Sequence, residues 1–465
     1  MADKTEEAVF TQGSLMRHVS VMSFTASIGL MAIFAVDFVD MIFISMLGNA
    51  ALAAAIGYAG TLLFFTSSIS IGMSIAAGAL VARAIGAGAG QDAREYATSV
   101  LMIGAVLCLA VVVAIFVYMT PLLSFLGAEG ETLDLATSYL SIILPTMPVL
   151  MAAMVGGAVL RAHGDAKRAM VATLAGGIAN AVFDPLLIFG LGWGLEGAAI
   201  ASVIARVTIL VASVWPVIKS YDGLAPPRMD MLARDASAVF AIASPAVLAN
   251  VATPVGSAVV TREMAKFGTD AVAAMAIIGR LTPVAFGVIF ALSGAIGPIV
   301  GQNFGAGLQD RVRGAFIDGM KFVAIYVVVV AALLFALRAP IADIFEAEGQ
   351  TRSLIYLFCG PLALAWIFNG WIFVGNATFN NLGHPIYSTW INWGRNTIGM
   401  WPPVLLGAAW FGASGVLIGQ AVGGIFFAII SIWLAFRAMD QEGRKDRTHH
   451  FRQHLRQHVV ESRRH

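Results

Sequence analysis

Two aspartates, Asp40 and Asp184, sit inside apolar stretches long enough to cross a bilayer, in the runs FAVDFVDMIFISML and NAVFDPLLIFG. An ionised carboxylate in hydrocarbon costs roughly 2.5–3.5 kcal/mol on insertion scales, so such a residue marks a functional position by default. Withdrawal from water favours the protonated form of a carboxylic acid, so proton uptake near neutral pH is physically available. The other option is to bind a cation. Either is the chemistry expected of a transporter. Asn180 precedes Asp184 by one helical turn and shares its face. At 1.5 Å rise per residue, Asp40 and Tyr139 lie about 10 Å, Asp184 about 9 Å and Ser202 about 8 Å from the ends of their spans. Four spans thus present polar groups at one level. Asp, Asn, Ser and Tyr are the hard oxygen donors that a small cation needs, so either H⁺ or Na⁺ could load here, a Na⁺ ion at Asp40, Asn180 and Asp184. Asp37, one turn before Asp40, and Arg206, one turn beyond Ser202, are accessory candidates. A structural Asp–Arg pair made by Arg206 is the alternative to ion loading.

The elements that must position these groups follow from composition. The chain has 465 residues, 59% hydrophobic and 12% charged, with mean hydropathy +0.83. A soluble domain carries about 25% charged residues, so the expectation is an all-α polytopic membrane protein with the lipid bilayer as partner. Net charge of +1 argues against nucleic acid. Cys108 and Cys359 both fall in apolar spans, against a disulfide framework. The opening MADKTEEAVFTQGS lacks the pattern of a cleaved signal, so the first span is expected to be retained. Twelve apolar runs read as spans, roughly 18–47, 51–84, 93–119, 132–159, 169–190, 197–218, 235–264, 270–304, 313–338, 352–379, 386–409 and 412–437. Lys and Arg concentrate in one alternate set of loops, at Arg83, Arg94, Arg161, Lys167, Arg168 and Arg311 among others, which places both termini in the cytoplasm.

The chain also repeats itself. LeuGlyAsnAlaAlaLeuAlaAla at 47–54 answers PheGlyThrAspAlaValAlaAla at 267–274, GlyAlaGly at 88–90 answers 305–307, Gly164 answers Gly383, and GlyLeuGluGly at 194–197 answers GlyAlaSerGly at 412–415. Each half has six spans, an even number, so the halves share one orientation and should enclose a substrate cavity between them. The expected division is an N-tail 1–17, an N-lobe 18–220, a linker 221–234, a C-lobe 235–438 and a C-tail 439–465. The polar set is not repeated: Val260 stands for Asp40, and Pro402 and Pro403 for Asp184 and Pro185. For Arg280 and Arg395, a structural or snorkelling role is preferred to substrate contact.

At these residues the chain resembles the MATE (multidrug and toxic compound extrusion) family. The carrying segments are ValAspMetIlePheIleSerMetLeuGly at 39–48, the run from Arg161 to Val203, and GlyProIleValGlyGlnAsnPheGlyAlaGly at 297–307. The resemblance implies twelve helices in two six-helix lobes forming a V. It implies a monomeric inner-membrane antiporter that exports amphipathic, often cationic compounds against H⁺ or Na⁺, with no cofactor and no enzymatic activity. The cluster of Asp40, Tyr139, Asn180, Asp184 and Ser202 resembles the DinF-like and archaeal branch. Span seven carries no counterpart of the glutamate of other branches, since Glu263 lies near its end. Span one has Thr25–Ala26 where many relatives bear proline. The alternatives are a lipid-linked saccharide flippase of the same superfamily and a membrane-embedded enzyme or receptor. Against the last, no HExxH pair or Ser/His/Asp arrangement occurs in the spans. His450, His454 and His458 share one face of the C-tail, where a headgroup-associated helix is preferred to metal binding.

Overall fold

Hydrocarbon offers a peptide group no hydrogen-bond partner, so a chain this apolar must satisfy its backbone within helices. The computed structural model describes residues 8–47 and 49–461, with side chains for all of these except Ser45, Ala50 and 445–461, and contains no strand among them. The side chains of His450, His454 and His458 therefore lie outside the described residues, as do the first seven positions of the N-tail.

The crossing helices are α1 (Leu15–Met46), α2 (Ala50–Gly86), α3 (Gly90–Val117), α4 (Gly130–Ala162), α5 (Ala166–Gly190), α6 (Gly194–Tyr221), α7 (Met229–Ala265), α8 (Thr269–Gly305) and α9 (Gln309–Ile344). Helix α10 has two arms, Gly349–Leu362 and Trp366–Leu382, bent by 57°. The remaining helical chain, Ile386–Asn396 followed by Trp401–Glu461, reverses at Gly412, where φ is 60° and ψ is −141°. Only glycine adopts that conformation without strain. The reversal divides it into α11 (386–411) and α12 (413–461), which gives twelve crossings. The two arms of this hairpin touch through glycines. A Cβ on Gly407 would overlap the Gly415 carbonyl, and one on Gly423 the Gly399 carbonyl. Small residues at a helix crossing allow this backbone approach in place of hydrophobic driving force, which lipid cannot supply.

The repeat is visible in the backbone. Left-handed residues occur at Gly88, Gly127, Gly130 and Gly164, and again at Gly307, Glu346, Gly349 and Gly383, 219 residues apart in every pair. Gly86–Ala87–Gly88 thus corresponds to Gly305–Ala306–Gly307, two residues away from the alignment expected from the GlyAlaGly match. Two hydrophobic cores result, one per lobe. The start of α1, with Val19 and Met22, packs into the core of the carboxy-terminal lobe. The start of α7, with Val239 and Ile242, packs into that of the amino-terminal lobe. Each lobe therefore lends the first turns of one helix to the other.

The lobes meet at the end where α1 begins, called here the basic end. Helices α2 and α8 cross there so closely that a Cβ on Gly86 would overlap the Gln302 carbonyl, and one on Gly305 the Arg83 carbonyl. The segment Ala8–Ser14 lies against this crossing. The Gln302 side chain accepts from the Phe10 N–H at 2.8 Å and donates to the Ala162 carbonyl at 2.8 Å. Asn303 and Arg311 both donate to the Phe10 carbonyl, at 3.0 and 2.8 Å. Arg83 of α2 donates to the Asn380 carbonyl of α10 at 2.9 Å.

Gly86→Ala should hold these ends apart, because the added carbon has backbone in its way. With spin labels at the exposed positions Asp92 and Asp310, the substitution is expected to lengthen the mean distance between the two helix starts. An unchanged distribution would show that the crossing does not set the closed state.

Candidate functional site

Small residues bring α1 onto α5. A Cβ on Gly29 would sit 3.2 Å from Thr173, and one on Gly177 would meet Val36 at 3.5 Å. The approach carries Asp40 to Asn180. The Asn180 amide nitrogen donates to both Asp40 carboxylate oxygens, at 3.1 and 3.0 Å, and to Asp184 Oδ2 at 2.6 Å. The two carboxyl groups lie within hydrogen-bonding reach of one another. Asp184 is 1% exposed and Asn180 5%, and Asp184 Oδ1 is buried with no hydrogen-bond partner. Pro185 contributes to this arrangement. It lacks an N–H, and directly after it the chain winds as a wider π turn, Leu186–Gly190.

Two carboxyl groups this close cannot both stay charged and unaccompanied; they share a proton or hold a cation between them. The direction of the Asn180 amide matters to that choice. It presents its donor to both acids, which suits a carboxyl pair joined by a proton. A Na⁺ ion would require the amide turned, so that Oδ1 joined the carboxylate oxygens.

The other sequence candidates fall around this trio. Tyr139 is half-buried and close enough to feel the charge of Asp40 and Asp184, but it makes no hydrogen bond to them. Ser202 is half-buried and likewise unbonded to the three, and Asp37 is exposed. Arg206 serves another structure. It donates to the Ile143 carbonyl at 3.0 Å and to Thr146 Oγ1 at 2.7 Å, where the 3₁₀ turn Leu144–Thr146 and the prolines Pro145 and Pro148 interrupt α4. An Asp–Arg pair is not formed. Glu263 of α7 is held by Lys266 at 2.6 Å.

The paired halves lead to the expectation of a cavity between them; its lining, drawn mostly from the carboxy-terminal lobe, was not read from the sequence. A cavity of about 740 Å³ is lined by α7, α8, α10, α11 and α12, with α2 and α4 closing it from the other lobe. Two of its helices are broken. Phe286 interrupts α8 with φ −114° and ψ 17°, and Gly360 interrupts α10 with φ −98° and ψ −118°. Irregular backbone at membrane depth is tolerated where it faces a cavity or buried polar groups, and broken helices commonly frame transporter binding sites. Arg395 points into this space, where Asn369 Oδ1 accepts from it at 2.8 Å. It does not snorkel. The legible signal was an amide stripe, with Asn369, Asn376 and Asn380 on one face of α10 and Ser388, Asn392 and Asn396 on one face of α11.

A family model described as MatE matches residues 26–186 and again 245–403, once in each lobe. This chain belongs to the MATE family. It is similar to a Shewanella oneidensis protein named FAD transporter, 31% identical over 423 residues, covering 90% of this chain and 93% of that one. It is also similar to the Staphylococcus aureus multidrug export protein MepA, 23% identical over 412 residues, covering 86% and 89%. The Vibrio cholerae MATE transporter VcmN in its bent form superposes with TM-score 0.85 at 25% identity, covering 93% and 98%. An outward-facing multidrug resistance MATE transporter superposes with TM-score 0.87 at 21% identity, covering 96% of this chain and all of that one. The MATE chain is thus a multi-pass membrane transporter and not an enzyme.

Arg206→Ala should lower the thermal stability of the purified transporter by the equivalent of roughly 1.5–3 kcal/mol, the worth of charged hydrogen bonds to a helix break. Ion-induced thermal stabilisation should persist in this variant. Its loss would show that Arg206 belongs to the ion site after all.

Proposed function

We propose that this MATE chain is a cation-coupled antiporter that exports an organic solute by alternating access, loading its ion on Asp40 and Asp184 around Asn180. The observation that carries this reading is the hydrogen-bonded trio, Asp40 of α1 joined to Asn180 and Asp184 of α5, with the latter two buried. Residues 18–220 and 235–438 act as the rocking lobes, with 221–234 as linker. The close α2–α8 crossing at the basic end supports reading the present state as the one closed there. With the basic end and both termini in the cytoplasm of an inner membrane, an ion enters from outside, displaces affinity for solute, and leaves inside. Coupling needs only that ion and solute interact differently with the two states. Of the two candidate ions we take H⁺, since two adjoining carboxyl groups hold one proton between them without further ligands. Asp37 is positioned to relay protons to Asp40 one turn away, and Tyr139 and Ser202 line the approach. The MATE chain works as a monomer in this scheme, with no cofactor.

The relatives' names point to two kinds of solute. MepA is named for multidrug export, which suits amphipathic cations, whereas the Shewanella relative is named for FAD, a phosphorylated aromatic anion.

In proteoliposomes with ΔpH and ΔNa⁺ imposed separately, efflux should follow ΔpH. Asp40→Asn and Asp184→Asn should each lower it at least about tenfold with normal membrane insertion, since a charge-capable oxygen pair is removed from a desolvated site. Undiminished transport by both variants would end the proposal.

A further inference from the structure

We propose that the carboxy-terminal cavity is a binding site for phosphorylated aromatic solutes, with Arg161 and Arg395 as anion contacts and Phe290, Trp366 and Phe373 as ring contacts. This deepens the export reading and rests on it.

The argument begins with charge. Both guanidinium groups line the cavity, and no aspartate, glutamate or histidine does. Among the described residues neither arginine has a carboxylate partner. Two cations recessed from water without counter-charge are costly, and a ligand phosphate supplies the missing charge with matching fork geometry. Asn369 engages one N–H of Arg395 and sets the plane of its fork. Asn376, also at the cavity wall, adds a further amide to the lining. The aromatic wall is preassembled. Trp366 stacks on Phe286 with centroids 4.6 Å apart and an interplanar angle of 10°, and Phe290 meets Trp366 at 5.5 Å and Phe373 at 5.8 Å. A volume of about 740 Å³ falls within the range of pockets that enclose drug-sized and nucleotide-sized ligands.

Arg161 gives the site a switch. It comes from α4 of the amino-terminal lobe, and its guanidinium lies beside Gly294 of α8, 3.7 Å from where a Cβ there would stand. Every other charged contact comes from the opposite lobe. Separation of the lobes at the basic end would withdraw one of the two anion contacts, so affinity for the anion would differ between the two states. The competing account is that Arg161, in the last turn of α4, only complements the helix C-terminus. That account gives a loss of stability without ligand discrimination.

The test uses purified full-length transporter and four fluorescent or labelled probes: riboflavin 5′-phosphate, uncharged riboflavin, ethidium and farnesyl pyrophosphate. The phosphate ester should bind at least about tenfold more tightly than riboflavin. Arg161→Gln and Arg395→Gln should each remove most of that difference while leaving riboflavin affinity unchanged, and the Lys variants should restore part of it. Equal affinity for the two flavins, equal weakening of both by the Gln variants, or preference for ethidium would overturn the assignment. Preference for farnesyl pyrophosphate would overturn it in favour of a lipid-linked substrate. Absence of gradient-driven flux in wild-type liposomes, with the tighter binding of the flavin phosphate intact, would count against antiport alone and leave the cavity assignment standing.

Discussion

Inside a bilayer, a polar group has only the protein to answer it, and Asn180 shows how strictly that constraint is met. One amide nitrogen serves three carboxylate oxygens on two helices. Around it, the local irregularities of the amino-terminal lobe become intelligible. Gly29 and Gly177 thin the α1–α5 contact so that Asp40 can arrive. Pro185 widens the turn that follows Asp184, and the broken α4 obtains its missing donor from Arg206. The break in α4 is matched by a specific side chain, as the high cost of unsatisfied groups in hydrocarbon demands.

The two lobes use one scaffold for different chemistry. Left-handed turns recur at constant spacing through both, and the family model recognises each separately. The polar content does not recur. One lobe buries acids around an amide; the other lines a cavity with amides, aromatic rings and Arg395, and Arg161 reaches it from the first lobe. Symmetric helices thus carry an asymmetric charge distribution. In the proposed scheme, ion and solute would occupy different lobes joined at the shared crossing of α2 and α8.

The fold was largely legible because a bilayer reduces it to counting. Span number, the paired halves and the break near 411 all follow from runs of about 20 apolar residues. What escaped was local: the 3₁₀ turn in α4, the π turns, and the bend in α10, which depend on packing across helices. At the site, the one-turn relation of Asn180 to Asp184 is readable directly, and rise per residue set Asp40 at the same level. Depth does not give rotation about the helix axis. Tyr139 and Ser202 share the level yet form no bond with the trio, and Arg206 turns to α4. A cavity between the halves was expected, but its lining was not, because uncharged asparagines do not stand out in an apolar span as carboxylates do.

Gln302 has one further consequence. A single amide grips the N-terminal segment through Phe10 and the amino-terminal lobe through Ala162, while its own helix belongs to the carboxy-terminal lobe. Three parts of the chain are thus tied through one side chain. In the proposed transport cycle, full opening at this end would have to break both of its bonds, which would disfavour half-open intermediates and the leakage they permit.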